Sequence, residues 1–377
     1  MKGVRRVFEI ALSCGGARVG VLTSPQGRSV TTPSLLPVAT YGVVKTLTPE
    51  EVGRMGFEGF IVNSFLIRLL EPLGGREVDL HKYLNWEGVI FSDSGGFQLI
   101  RKGFLIKKGE DGLLMRSPFD GREVVITPEW VVESSRRLKA DFGMVLDDCP
   151  PYPWREEEVL SSTKRTLKWA EAALSCPQGE TELLGIVQGG GNKELRRRCS
   201  RRLVEMGYNG VGIGGLSIGE PKEVTFQMVK ATTDSLPEGV LRYLMGVGEP
   251  LDILKAVAMG VDLFDSTYPA RGGRHGTYLT PTGKVNLSSK DFRGVEEPIY
   301  EGCSCPVCKR YSRDFLYHLK RGREMLLYRL GTLHNLHFMG RFMEAVRSAI
   351  QEGEFASLVE GRVGWGTVRE LMERFSR

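Results

Sequence analysis

Eight short apolar runs, separated by amphipathic segments, constrain the fold more than any other feature of the sequence. They occupy residues 35–39, 59–63, 89–92, 142–146, 183–187, 210–213, 242–245 and 261–264. Runs this short, bounded by glycine and polar residues, read as buried strands. The intervening residues carry helical patterns, at 156–174, 193–207, 221–234 and 250–259. Thr48-Pro49-Glu50-Glu51 opens another helix, with Thr48 as N-cap and Glu51 as its capping-box partner. Thr127-Pro128-Glu129-Trp130 begins similarly, without the acid at the fourth position. Strand–helix alternation argues a parallel sheet, and eight repeats argue a closed (β/α)8 TIM barrel. The expected organisation is an N-terminal β region of one or two hairpins over 1–33 and a catalytic barrel over 34–290. A zinc-binding subdomain follows over 291–350, inserted in or packed on the barrel, and C-terminal helices over 351–377. Residues 99–126 exceed a simple βα loop and predict an inserted hairpin on the active face.

The residues that follow the strands carry the chemistry. Phe91-Ser92-Asp93-Ser94-Gly95-Gly96-Phe97-Gln98 breaks from an apolar run into a carboxylate and two glycines. Asp147-Asp148-Cys149, Gln188-Gly189-Gly190, Gly214-Gly215-Leu216, Gly246-Val247-Gly248 and Asp265-Ser266 end later strands. Asp and Gly begin many loops, which accounts for any one of these ends. The series of acid, acid, amide, paired glycines and acid fits better with a site at the C-terminal barrel face. Asp93 and Asp265 could divide labour across a reacting centre, one attacking while the other moves protons. At a glycosidic carbon this gives a covalent glycosyl-enzyme. Asp147 and Gln188 could read a flat heterocycle, and Gly214-Gly215 offers unobstructed backbone. Phe97 and Met245 could sandwich the ring, although ordinary core packing accounts for both on sequence alone.

Composition enters at the cysteines. Seven, an odd number, are not a disulfide framework, and three cluster as Cys303-Ser304-Cys305-Pro306-Val307-Cys308. With a downstream histidine these thiolates predict one closed, structural zinc site. His334, His318 and His337 compete for the fourth position. A net charge of +5 permits an anionic partner without demanding one. Arg271-Gly272-Gly273-Arg274 follows the eighth strand, where barrels often hold phosphate, and further basic residues surround the cysteines. No apolar run approaches the ~18 residues of a membrane span, so a cytoplasmic protein is expected.

Together these motifs resemble the tRNA-guanine transglycosylases. The resemblance rests on Ser92-Asp93-Ser94-Gly95-Gly96-Phe97-Gln98, Gly185-Ile186-Val187-Gln188-Gly189, Gly214-Gly215-Leu216, Tyr243-Leu244-Met245-Gly246-Val247-Gly248 and Phe264-Asp265. It extends to Cys303, Cys305 and Cys308 with His334-Asn335, covering about residues 7 to 360. It implies a barrel with a zinc subdomain that replaces the wobble guanine of tRNA bearing a GUN anticodon by a 7-deazaguanine base, in queuosine modification. By the resemblance, Asp265 is the nucleophile at the ribose anomeric carbon and Asp93 the general acid/base. Asp147, Gln188 and Gly215 recognise the base, Leu216 adds a backbone contact, and Phe97 and Met245 stack on it. Arg271 and Arg274 approach RNA phosphates, and His334 completes the zinc site. A homodimer is implied, with the helical residues 311–350 at its interface, and exchange calls for neither ATP nor a redox cofactor.

Departures bear on the incoming base. Many bacterial members carry a histidine after the second strand, where this chain has Asn63-Ser64-Phe65-Leu66-Ile67. Ser266-Thr267-Tyr268-Pro269-Ala270-Arg271 replaces the usual bacterial Cys-Val-x-Pro-Thr-Arg, and Ile218 sits where bulk limits the base substituent. Cys149 and the chain's end soon after the zinc region favour a bacterial-type enzyme using 7-aminomethyl-7-deazaguanine. Gly302-Cys303-Ser304-Cys305 also suits archaeal members, which use the 7-cyano base, and a queuine-using enzyme is a further variant. A non-catalytic subunit of a heteromeric transglycosylase would be expected to lose Asp93 or Asp265, and both are present. A retaining glycosidase fits the carboxylates but not the cysteine cluster or the basic flank.

Overall fold

The computed structural model of the chain describes residues 7–70, 73, 76–95 and 103–375. Three antiparallel strands come first, β1 (Phe8–Cys14), β2 (Ala17–Thr23) and β3 (Ser29–Thr32). Eight parallel strands follow in chain order: β4 (Ser34–Pro37), β5 (Gly59–Asn63), β6 (Val89–Asp93), β10 (Phe142–Met144), β11 (Glu182–Val187), β12 (Gly210–Ile213), β13 (Leu241–Leu244) and β14 (Leu263–Ser266). Between β6 and β10 lie β7 (Leu105–Lys108), β8 (Leu113–Arg116) and β9 (Glu123–Ile126), and after β14 come β15 (Thr277–Thr280) and β16 (Gly283–Asn286).

The eight parallel strands form one sheet in the order β4-β14-β13-β12-β11-β10-β6-β5. Its two edges meet just beyond β4, where Val38 bridges Ile61 and the Ala39 N–H donates to the Ile61 carbonyl at 2.8 Å. The result is a closed barrel, the TIM-type architecture expected from the alternation. Both faces of the strands are covered, so they are apolar throughout: every residue of β4, β5 and β12 is buried.

The N-terminal sheet seals the bottom. Phe8, Leu22 and Val30 pack among the inward residues Leu36, Ile61, Phe91, Phe142 and Tyr243. Buried Arg18 grips Asp262 through two hydrogen bonds of 2.7 and 2.6 Å, and also donates to the Val240 carbonyl. Both acceptors precede β14 and β13, so this pair fastens the sheet to the lower rim.

The insert is larger than a hairpin. Strands β7, β8 and β9 form a three-stranded antiparallel sheet with its own small core of Leu113, Met115, Ile126 and Trp169. Lys108 of β7 reaches buried Asp148 at 2.7 Å, which ties the insert to the upper rim.

Helix Tyr268–Arg274 follows β14. A separate core of Tyr278, Leu287, Ile299, Cys305, Val307 and Leu316 then interrupts the eighth unit. The helix Met325–Gln351 returns to the barrel wall, packing Met339, Phe342, Met343 and Val346 against the layer that contains Leu35 and Val62. At its N-terminal half it crosses Tyr268–Arg274 so closely that a Cβ on Gly331 would lie 2.1 Å from the Gly273 carbonyl oxygen. Only glycine fits at that crossing.

Candidate active site and metal centre

The C-terminal strand ends converge on one cavity of about 430 Å³. Asp93, Asp147, Gly214, Gly215, Leu216, Met245, Asp265 and Arg271 line it. Five of these come from the residues soon after β10, β12 and β13, and two are strand residues of β6 and β14. Gln188 lies behind the wall. It is fully buried and donates from Nε2 to Asp147 Oδ2 at 2.7 Å. Its Oε1 is buried without a partner among the described residues. Arg274 is not among the cavity residues: it sits three positions beyond Arg271 on the same short helix and is half-buried. Phe97 lies outside the described residues.

The carboxylates differ in their surroundings. Burial, then the charges of Asp265 and Asp147, push the Asp93 carboxyl up to about 7. Burial also raises Asp265, but two donors oppose it: the Tyr243 hydroxyl at 2.6 Å and the Gly246 N–H at 2.9 Å. Burial pushes Asp147 up to about 6, with Gln188 opposing and Asp148 adding to the rise. Neighbouring Asp148 points away and is paired twice, with Lys108 at 2.7 Å and Arg165 at 2.6 Å. The Asp93 carboxyl is therefore suited to exchange a proton near neutral pH, while the two donors to Asp265 favour its charged form against the effect of burial.

Two supporting residues escaped the sequence reading. Tyr243 lies two residues before Met245 and so on the same strand face. Burial, and then Asp265, raise its own pKa well above the ordinary phenol, so it remains a donor. Glu220 accepts the backbone N–H groups of Ser217 at 2.5 Å and Ile218 at 3.0 Å, and the Thr225 hydroxyl at 2.6 Å. It shapes the loop that brings Leu216 and Ile218 to the cavity. The acid three residues after Ser217 was the available signal.

At Gly215 the backbone has φ +65°, and a Cβ there would lie 2.3 Å from Gln188 Oε1. The conformation and the close approach both require glycine. Paired glycines thus bring main chain against the amide that braces Asp147.

Away from the cavity, Cys303, Cys305, Cys308 and His334 place their ligand atoms within 4.8 Å of one another. His334 Nδ1 lies 3.4 Å from both Cys305 Sγ and Cys308 Sγ, against about 3.5 Å for an N···S edge of a tetrahedral zinc site. His334 Nε2 lies 2.9 Å from the Leu279 carbonyl, which sets the proton on Nε2 and leaves Nδ1 as the ligand. His337 instead faces Ser304 Oγ at 3.0 Å, and His318 is not part of the group, so the three-way choice falls to His334. The donors fit a metal of zinc's character, and four of them fill its coordination.

Asn335 connects this centre to the cavity. Its Oδ1 accepts the Leu279 N–H at 2.9 Å, and its Nδ2 donates to the carbonyls of Pro269 and Thr277, each at 2.9 Å. The metal helix is thereby stitched to the helix bearing Arg271.

Comparison with known proteins agrees with this geometry. The family described as queuine tRNA-ribosyltransferase matches residues 13–364, nearly the whole chain. The chain belongs to the queuine tRNA-ribosyltransferase family. A queuine tRNA-ribosyltransferase of Thermus thermophilus is 42% identical over 356 residues, covering 92% of this chain and 91% of that protein. One from Thermoanaerobacter sp. is 41% identical over 344 residues, 89% and 90% of the two chains. One from Idiomarina loihiensis is 40% identical over 360 residues, 94% and 95%. The family match takes in the barrel, the insert, the cysteine cluster and the long helix alike.

Proposed function

We propose that this ribosyltransferase exchanges the wobble guanine of tRNA with a GUN anticodon for a 7-deazaguanine base, through an ester between Asp265 and ribose. The observation that carries the reading is the pairing of Asp265, supported by Tyr243 and Gly246, with an Asp93 that titrates near neutrality across one cavity.

In this reading the ionised Asp265 carboxylate attacks the anomeric carbon as the bond to guanine N9 breaks. The electron pair leaves with the base, and protonated Asp93 supplies the proton that neutralises it. Guanine departs. The incoming base gives its N9 proton to ionised Asp93, N9 attacks the same carbon, and the ester to Asp265 breaks. Asp147 and Gln188 accept from and donate to the edge of the base, while Gly215 and Leu216 offer backbone. Met245 packs on one face of the ring, and Phe97 is assigned the other from family resemblance. Arg271 meets the RNA backbone from the cavity wall, and Arg274 meets it from the same helix. A base must leave its stack to enter such a pocket, which anticodon loops permit at modest cost.

Charge favours 7-aminomethyl-7-deazaguanine as the incoming base. Among the described residues, Asp93, Asp147 and Asp265 line the cavity without an ion pair, whereas Glu249 and Asp252 at its wall are paired with Lys222 and Lys284. A protonated aminomethyl group gains from the unpaired carboxylates where a cyano group does not.

Zinc is the metal proposed for the cysteine centre, one per chain. When bound it cross-links Cys303, Cys305, Cys308 and His334 and holds the small subdomain together. A homodimer is also proposed. Within residues 311–350, expected at its interface, Leu316 and Leu327 are buried in the subdomain core, whereas Leu326 is exposed between Met325 and Tyr328, exposed by 79% and 40%. They lie beside the Thr46 segment, reached by Arg329 at 2.9 Å, which carries exposed Tyr41 and Val43. Among the described residues no helix is long and apolar enough to cross a membrane, and a tRNA substrate suits the cytoplasm.

Radiolabelled guanine incorporation into such a tRNA tests the function, with the aminomethyl and cyano bases as competitors. Incorporation, with the aminomethyl base competing best, is expected. Absence of incorporation by folded, metal-loaded protein would overturn the reading.

A further inference from the structure

Arg196 is a cation with no visible reason to be where it is. Asn192 caps the helix Lys193–Glu205, its Oδ1 accepting the Glu194 and Leu195 N–H groups. One turn on, Arg196 points inward and is fully buried. Among the described residues no carboxylate lies within ion-pair distance of its guanidinium. Burial of such a charge without a partner is costly, and buried arginines are ordinarily paired.

Its hydrogen bonds go to backbone. Nε donates to the Gly190 carbonyl at 2.8 Å, and both Nη atoms lie 3.2 Å from the Gly214 carbonyl. Gly190 follows Gln188 by two residues, and Gly214 precedes Gly215. The guanidinium therefore ties together the two segments assigned to base recognition, from behind the cavity wall. A planar fork suits this, since it can meet two acceptors in fixed directions.

The consequence follows from peptide geometry. In a trans peptide the N–H points opposite to the C=O. With the Gly214 carbonyl turned back onto Arg196, the Gly215 N–H faces the other way, and Gly214 and Gly215 both line the cavity. Among the described residues that N–H has no acceptor. We infer that Arg196 is a positioning residue that aims the Gly215 N–H at the carbonyl oxygen of a 6-oxopurine-like base, and so selects bases that carry one. The inference rests on the proposed base exchange.

The test compares guanine with 2-aminopurine, which lacks the 6-oxo group, as ligands in guanine exchange. The ratio of the 2-aminopurine inhibition constant to the guanine KM is measured for wild type, Arg196→Met and Arg196→Lys. Loss of one aimed hydrogen bond should shrink the ratio about 10-fold or more in Arg196→Met, through a raised guanine KM with the tRNA KM unchanged. Arg196→Lys keeps the charge but not the fork, and should lose most of the discrimination, which carries the test if the Met variant does not fold. An unchanged ratio in a folded variant, or equal weakening of both bases, would overturn the assignment. Exchange absent from the wild type would instead overturn the functional reading on which it rests.

Discussion

At the scale of single residues, the account turns on how the surroundings separate two aspartates. Tyr243 and Gly246 both donate to Asp265, whereas burial and like charge raise Asp93 to about 7. Removing the Tyr243 hydroxyl leaves Asp265 easier to protonate. Tyr243→Phe should thus lower kcat by roughly 10- to 100-fold, the worth of one hydrogen bond to a charged group. The acid limb of its pH–rate profile should also move to higher pH, because Asp265 must be ionised to attack. A fall in kcat without that movement would assign Tyr243 a packing role only. Asp93 predicts a trade-off. Its folded pKa is raised, so ionisation above about pH 7 works against folding, while below that pH the folded state takes up a proton and the cost shrinks. Asp93→Asn should therefore raise Tm more at pH 8 than at pH 5, read by calorimetry, while abolishing exchange. Asp93, Asp265, Asp147 and the paired glycines were legible because each directly follows or ends an apolar run. Tyr243, Glu220 and Arg196 were not, since their importance lies in partners 22 residues away for Tyr243–Asp265 and 18 for Arg196–Gly214, or in a burial that composition does not reveal.

At the scale of elements, the alternation of short apolar runs with amphipathic segments specified the barrel closely. The helix expected at 156–174 is Glu156–Leu174, and the capping box at Thr48 and Glu51 is formed. The insert was visible by its length but not its strand number, because β7, β8 and β9 are short and half-exposed, with little period to read. The cysteine spacing announced a metal centre, but choosing among three histidines required the fold: only His334 has both thiolates and the Leu279 carbonyl within reach. Gly331→Val puts a side chain where Gly273 backbone already lies, and should destabilise the protein by about 1–3 kcal/mol in denaturant titration. Stability equal to wild type would contradict the tight crossing. Chelation should remove one zinc per chain and lower Tm, since the ligands hold a small core together. Unchanged Tm after complete metal loss, confirmed by elemental analysis, would contradict a structural role.

At the scale of the whole molecule, the barrel is sealed below by the N-terminal sheet and open above to the cavity of about 430 Å³. The insert and the metal subdomain both attach near that opening, through Lys108–Asp148 and through Asn335. The exposed Met325, Leu326 and Tyr328 predict a dimer, and sedimentation at micromolar concentration should give twice the chain mass of 42.0 kDa. A monomer there would contradict it. The central claim is that Asp265 becomes covalently joined to tRNA. It is tested most directly by quenching the protein with tRNA in denaturant, digesting both and locating the ribose-linked peptide by mass spectrometry. The account predicts an adduct on the peptide containing Asp265, absent in Asp265→Asn. An adduct on Asp93, or guanine exchange that persists in Asp265→Asn, would contradict it.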